Sequence, residues 1–240
     1  MCPAPGAAGA VRIDATCTVC GDSGGQDEAI LRDHLTGEAF HRRRCAACGA
    51  PFIGGPPTPE DTGRYYETTS GDEMHSRPGR LFATLRDVRL RRDFAPLLKR
   101  LPARARVADL SAGDGSLAGI LRAEGYTAGA VELYPAFQWM HPDIPYRQTN
   151  MVGGKLTGED LMVDGAPGRA IVMRHVLEHL HRPLESLAAA RRIGVTHALI
   201  IVSNAASVLT ACSRSAGTTG TLHGIWAASR RSPCAAGLTP

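Results

Sequence analysis

A chain of 240 residues with 43% hydrophobic content has room for one full domain, a small appendage and a sizeable core. Its formal net charge of +4 permits an anionic partner but does not demand one. No apolar run approaches the roughly 18 residues of a membrane span, and "MCPAPGAAGAVRID" lacks the basic start and apolar core of a signal peptide, so no membrane partner is expected and the cytoplasm is the expected compartment.

Residues 1–14 carry no periodic pattern and are expected to be disordered. A small ribbon is expected over 15–53. Cys17 and Cys20 form "CTVC", Cys45 and Cys48 form "CAAC", and glycine follows each pair. Two residues between thiolates let one tight turn aim both sulfurs at one ion, and four cysteines make a closed, structural Zn2+ site. Cys2 has no partner at a useful spacing. "AFHRRRC" reads as a strand leading into the second knuckle.

Residues 54–78 open on "GGPPTPEDTG" and read as a linker. From Leu81 the period becomes helical. Leu81, Leu85 and Val88 share one face, and Phe94, Leu97, Leu98 and Leu101 continue it after an expected break near Pro96. Eight basic residues between Arg86 and Arg106 read as a solvated helix surface in preference to a nucleic-acid face, because no series of aromatic residues interleaves with them to stack bases.

Beyond Arg106 strands and helices alternate. "RVADLS", "TAGAVEL", "IPYRQTNMV", "RAIVMR" and "HALIIVS" read as strands. "SLAGILRAEG" and "PLESLAAARRIG" read as helices, the latter opening on proline and closing on glycine. This order implies parallel βαβ units in an α/β, doubly wound sheet. After strand one the chain turns through Ser111, Gly113 and Gly115 into a helix, whose free N–H groups suit a carboxylate or phosphate. Glu132, at the end of strand two, can accept both ribose hydroxyls of a nucleoside. These features alone do not separate NAD from S-adenosylmethionine.

"RHVLEHLHRP" contains His175-x-x-Glu178-His179, the H-x-x-E-H signature of a zinc protease family. That helix must be long, with a further zinc ligand downstream. Here a strand precedes directly and Pro183 opens a new helix, so the protease reading fails.

Taken together, "VADLSAGDGSLAGIL", "GYTAGAVEL", "RAIVMRHVLEHLHRPLESLAAARRI" and "LIIVSNAAS" resemble the class I S-adenosylmethionine-dependent methyltransferases. With the knuckles and "RYYE", the chain is most similar to a bacterial group with an N-terminal zinc ribbon. The resemblance implies a Rossmann-like methyltransferase domain over 79–208 with S-adenosyl-L-methionine as cofactor. It implies that Asp109 underlies the methionine part, Ser111, Gly113 and Gly115 make the cofactor loop, and Glu132 takes the ribose hydroxyls. It further implies that Leu133, Asn150 and Met151 meet the adenine and that Arg174 and His175 line the pocket. His175, Glu178 and His179 are the candidate catalytic residues, the histidines as general bases for an unidentified small-molecule acceptor. Ser111 departs from the family's first glycine. An RNA methyltransferase and a non-catalytic cofactor-binding module remain the alternatives.

Residues 209–240 contain no Asp, Glu or Lys and no structural period. They are expected to be an aberrant, disordered tail. Read from each codon's third base, "TACSRSAGTTGTLHGIWAASR" is compatible with "RLFALGWHHWDPPRHLGRFT", which resembles the family's continuation after strand five. A reading-frame slip near Thr210 is therefore expected. It would leave the C-terminal strands missing and this chain with little activity. The nucleotide sequence decides it.

Overall fold

The computed structural model describes residues 15–33, 37–63, 80–132, 141–149, 151 and 156–202. Leu133, Asn150, the doubled tyrosine of "RYYE", the first 14 residues and the tail from 209 lie outside the described residues.

The N-terminal unit is a three-stranded antiparallel sheet in the order β1 (Gly25–Arg32), β2 (Ala39–Cys45), β3 (Pro51–Gly54). The basic run on β2 is answered from β1: Arg43 pairs with Asp27 at 3.0 Å and Arg42 with Glu28 at 3.3 Å. The Arg43 guanidinium also lies 5.8 Å from the centre of the Phe52 ring. The unit's apolar interior is small. Phe40 and Ile53 form one cluster, and Cys17, Cys45 and Phe52 form another.

The stretch read as a linker is ordered where it is described. Pro56, Pro57 and Thr62 are buried. The Thr62 hydroxyl donates to the Thr58 carbonyl at 2.9 Å, and the Thr58 hydroxyl donates to Asp61 at 3.1 Å. Local side-chain bonds thus hold a turn that composition alone assigned to a tether.

Helix α1 (Arg80–Leu98) runs through Pro96 without the expected break. Proline removes one backbone bond and crowds the carbonyl four residues back, and the helix ends two residues later, at Leu98. The expected apolar face also divides. Leu90, Phe94 and Leu98 are buried, whereas Leu81, Leu85 and Val88 are 74%, 60% and 58% exposed.

The larger unit is built on a five-stranded, wholly parallel sheet. Its strands are β4 (Arg106–Leu110), β5 (Thr127–Glu132), β6 (Tyr146–Gln148), β9 (Ala170–Arg174) and β10 (His197–Ile201), in the order β10-β9-β4-β5-β6. Helix α2 (Ser116–Ala123) follows β4, and α3 (Pro183–Ile193) follows β9. Alternate residues of each central strand face opposite layers. Val107, Ala128, Ala130 and Val172 pack toward α1 and α2, while Ala108, Val131, Ile171 and Met173 pack toward α3. The sheet with helices on both faces is Rossmann-like.

Sequence periodicity did not show the short hairpin β7 (Met162–Val163) and β8 (Ala166–Pro167). Its Asp164-Gly165 turn has φ of 46° and 79°, and Asp-Gly is the signal that could have found it. Among the described residues no helix is long and apolar enough to cross a membrane.

Candidate active site

The strand order reverses at β4: later strands add first on the β5 side, then on the β9 side. At such a reversal the connecting chains diverge and leave a crevice at the carboxyl ends of the strands. Asp109 and Leu110 of β4 sit in register with Ala130 and Val131 of β5 and with Val172 and Met173 of β9. The next residues out from these three strands therefore rim one crevice. They include Ser111, Gly113, Glu132, Arg174 and His175.

The loop after β4 is clamped to β5. The Ala112 N–H donates to the Val131 carbonyl at 3.1 Å, and the Gly113 N–H donates to a Glu132 carboxylate oxygen at 2.8 Å. Glu132 is 4% exposed. Ser111 stands at φ 56°, the left-handed region where glycine is free of strain, which is the physical content of its departure from the family loop. Gly115 caps α2 at φ 83°. A side chain added at Gly113 would meet nothing within 4 Å among the described residues. Met151 is buried in the α3-side cluster with Leu110, Val131 and Met173, which stand at the carboxyl ends of the strands that rim the crevice.

Asp109 is 2% exposed, and its Oδ2 has no hydrogen-bond partner among the described residues. Burial, and then the neighbouring Glu132 charge, push its carboxyl up to about 8, against a smaller pull from Arg174. In the unfolded chain an aspartate releases its proton near pH ~4. The stability gained from holding the proton is therefore complete below that pH, is eroded as pH rises, and is lost above about 8. Asp109→Asn keeps the neutral shape. Between pH 5 and 8 its urea-unfolding free energy is expected to fall less steeply than wild type; parallel slopes would remove Asp109 as the cause.

Arg86 on α1 is a site residue that sequence reasoning missed, because one arginine in a basic helix carries no distinguishing signal. Its guanidinium bonds Asp114 at 2.6 Å and also the Ser116 hydroxyl, thirty residues away across the start of α2. Asp114 in turn accepts from the Ser116 N–H at 3.0 Å, and these bonds hold its carboxyl below the usual range despite partial burial. Arg86 therefore fixes the loop that follows β4. Arg86→Ala is expected to weaken S-adenosylhomocysteine binding about tenfold by calorimetry, with Arg86→Lys recovering only part because an ammonium cannot reproduce the fork.

After β9 the backbone makes a sharp turn. His175 has φ 55°, and its N–H donates to the Ile201 carbonyl of β10 at 2.8 Å. A 3-10 turn over Leu177–His179 follows, and Pro183 opens α3. His175 Nδ1 lies 3.3 Å from a Glu178 carboxylate oxygen. The Glu178 side chain is 3% exposed against 46% for His175, so a sheltered carboxylate orients a ring that reaches solvent. His179 is half-buried in the same turn.

The four cysteines converge within the N-terminal unit. Their sulfurs all lie within 4.8 Å of one another, with Cys17–Cys48 at 3.7 Å and Cys20–Cys45 at 3.5 Å. Bonds of about 2.3 Å at the tetrahedral angle would set sulfurs about 3.8 Å apart, so the donor set fits one zinc-sized ion. The two knuckles are built alike. The Cys17 N–H bonds the Asp22 carbonyl and the Cys45 N–H the Ala50 carbonyl, while the Gly21 and Gly49 N–H groups return to the Cys17 and Cys45 carbonyls. The Cys48 N–H lowers the Cys45 thiol to about 7, whereas burial pushes the Cys48 thiol up to about 12 and raises that of Cys17.

The family model described as a methyltransferase domain matches residues 82–214, more than half of the chain. The chain belongs to the methyltransferase domain family. Three solved structures are similar to it. A protein of Pyrococcus horikoshii OT3 is 15% identical over 64% of this chain and 68% of its own, with a TM-score of 0.42. Magnesium protoporphyrin IX methyltransferase of Synechocystis PCC 6803, with bound SAH, is 13% identical over 70% and 78%, with a TM-score of 0.46. A SAM-dependent methyltransferase of Archaeoglobus fulgidus is 18% identical over 54% and 57%, with a TM-score of 0.39. No curated protein matches the chain.

The methyltransferase's own residues fit the cofactor's chemistry. A buried carboxylate oxygen without a donor, open space over Gly113 and a second carboxylate at the end of β5 offer acceptors for an amino group and for hydroxyls.

Proposed function

We propose that this methyltransferase methylates a small-molecule acceptor and that its ribbon is held by a structural zinc ion. The reading is carried by two buried acidic side chains where the strand order reverses: the Asp109 carboxyl of β4, and the Glu132 carboxylate that receives the Gly113 N–H. A net charge of +4 and a ribbon whose arginines are spent on Asp27 and Glu28 favour a small acceptor over RNA.

Bound in the crevice, S-adenosylmethionine supplies an already activated sulfonium methyl for in-line displacement. What the chain must add is alignment and exclusion of water. Glu132 accepts the ribose hydroxyls, Asp109 accepts from the amino group, and the Arg86-held loop fixes both. With Nδ1–H donating to Glu178, His175 Nε2 carries the lone pair and takes the acceptor's proton. His179 is the alternative base in the same turn. Cys17, Cys20, Cys45 and Cys48 would hold zinc with no open position, which gives the ion a role in folding and none in the chemistry.

Calorimetric titration of S-adenosylmethionine into the full chain, followed by a metabolite screen for methyl acceptors, tests the reading. His175→Ala is expected to leave cofactor affinity within about twofold while lowering turnover on the acceptor found by roughly a hundredfold or more. Lost affinity with retained turnover would make His175 structural instead. Because the frame slip near Thr210 would remove the last strands, the frame-restored chain is the better enzyme to screen.

A further inference from the structure

We propose that His181 is a positioning residue that ties the cysteine ribbon to the turn carrying Glu178 and His179, so that metal occupancy of the ribbon is felt at the methyl-transfer site. The proposal rests on the reading of that turn as part of the methyl-transfer site.

His181 is 4% exposed, and its Nε2 lies 2.6 Å from the Pro57 carbonyl oxygen. A carbonyl can only accept, so Nε2 carries the proton and donates. The two partners are 124 residues apart in sequence. On the ribbon side the path is short. Eight residues separate Cys48 from Pro57, and all four residues of β3 among them are buried. Pro56 and Pro57 have restricted backbones, and the bonded turn from Thr58 to Thr62 fixes the chain just beyond. The Pro57 carbonyl is therefore aimed by the ribbon.

On the site side the chain is held weakly by its own bonds. From Val176 to Arg182 it makes no strand ladder. Its own backbone bonds form one 3-10 turn, with the His179 N–H on the Val176 carbonyl at 2.9 Å and the Leu180 N–H on the Leu177 carbonyl at 3.3 Å, and Glu178 adds its contact with His175. Such isolated turns have poor hydrogen-bond geometry. Leu180 anchors one side in the α3-side core, and the Arg182 carbonyl receives Ser186 at the start of α3. His181 stands between these points and adds a buried tertiary bond to a segment that needs one.

The test is hydrogen exchange on the full chain, with and without metal. His181→Phe keeps bulk and removes the donor; His181→Gln places an amide N–H near the position of Nε2. Amides from Val176 to Arg182 are expected to exchange about tenfold faster in His181→Phe, the cost of one net hydrogen bond, and to stay protected in His181→Gln. Dialysis of wild type against a zinc chelator is expected to give the same acceleration, and to add nothing to His181→Phe. Unchanged exchange in chelated wild type overturns the proposal, and that comparison stands even if His181→Phe does not fold. So does equal acceleration by chelation in both proteins, or a loss of protection that extends through β4 and β9 as general unfolding. S-adenosylhomocysteine protection of the amides from Gly113 to Ser116 is read in the same samples. Its absence would count against the cofactor site and leave the His181 tie standing.

Discussion

Replacing Glu132 by alanine is expected to weaken S-adenosylmethionine binding by on the order of 2 kcal/mol, roughly thirtyfold. Two losses add. The carboxylate at the end of β5 is the proposed hydroxyl acceptor, and it also receives the Gly113 N–H at 2.8 Å, so its removal frees the loop after β4. Glu132→Gln separates them. The amide oxygen can still accept from Gly113 but lacks the charge that strengthens bonds to ribose. Calorimetry is expected to place it between wild type and alanine. Equal affinity in all three proteins would mean that β5 does not end at the cofactor. Removing Glu132 also removes a negative neighbour of Asp109, whose carboxyl should then titrate lower.

Zinc removal, or Cys45→Ser, is expected to unfold the ribbon and to spare the parallel sheet. The ribbon's interior consists of a few side chains around Phe40, Ile53 and Phe52, too little apolar area to repay the entropy of ordering three strands. A four-thiolate ion would supply that difference, since its binding free energy becomes folding free energy. Circular dichroism with elemental analysis checks this: one zinc per chain in wild type, none in Cys45→Ser, and a retained α/β unfolding transition. Protein purified without chelator that contains no zinc would end the zinc reading. The tie between Pro57 and His181 makes the sparing incomplete, with the disturbance confined to the turn before α3.

Most of the α/β framework was legible in the chain itself. "RVADL", "TAGAVE" and "AIVMR" are mostly apolar without a polar alternation because strands of a parallel sheet are covered on both faces, and that signal survives without any partner. Pro183 and Gly194 marked α3 by local backbone preference. The knuckles were legible for the same reason: Cys-x-x-Cys-Gly fixes its own turn. Errors fell where distant packing decides. Leu81, Leu85 and Val88 have the period of a buried face, yet among the described side chains the helix buries Leu90, Phe94 and Leu98 instead. Pro56 and Pro57 read as tether because composition reports flexibility and not burial.

What the sequence by itself determined, then, was each element whose cause lies within one turn or one strand. Those are the order of strands and helices, the two knuckles, and the carboxylates standing at strand ends. The tertiary structure alone decided which of these meet. Asp109 acquires its raised carboxyl only when β5 brings Glu132 beside it and burial removes water. Arg86 becomes part of the cofactor loop only when α1 lies across Asp114 and Ser116. His181 finds Pro57 across 124 residues of chain. Desolvation and Coulomb interaction depend on distances through space, and a linear pattern does not contain those distances until the sheet has been assembled.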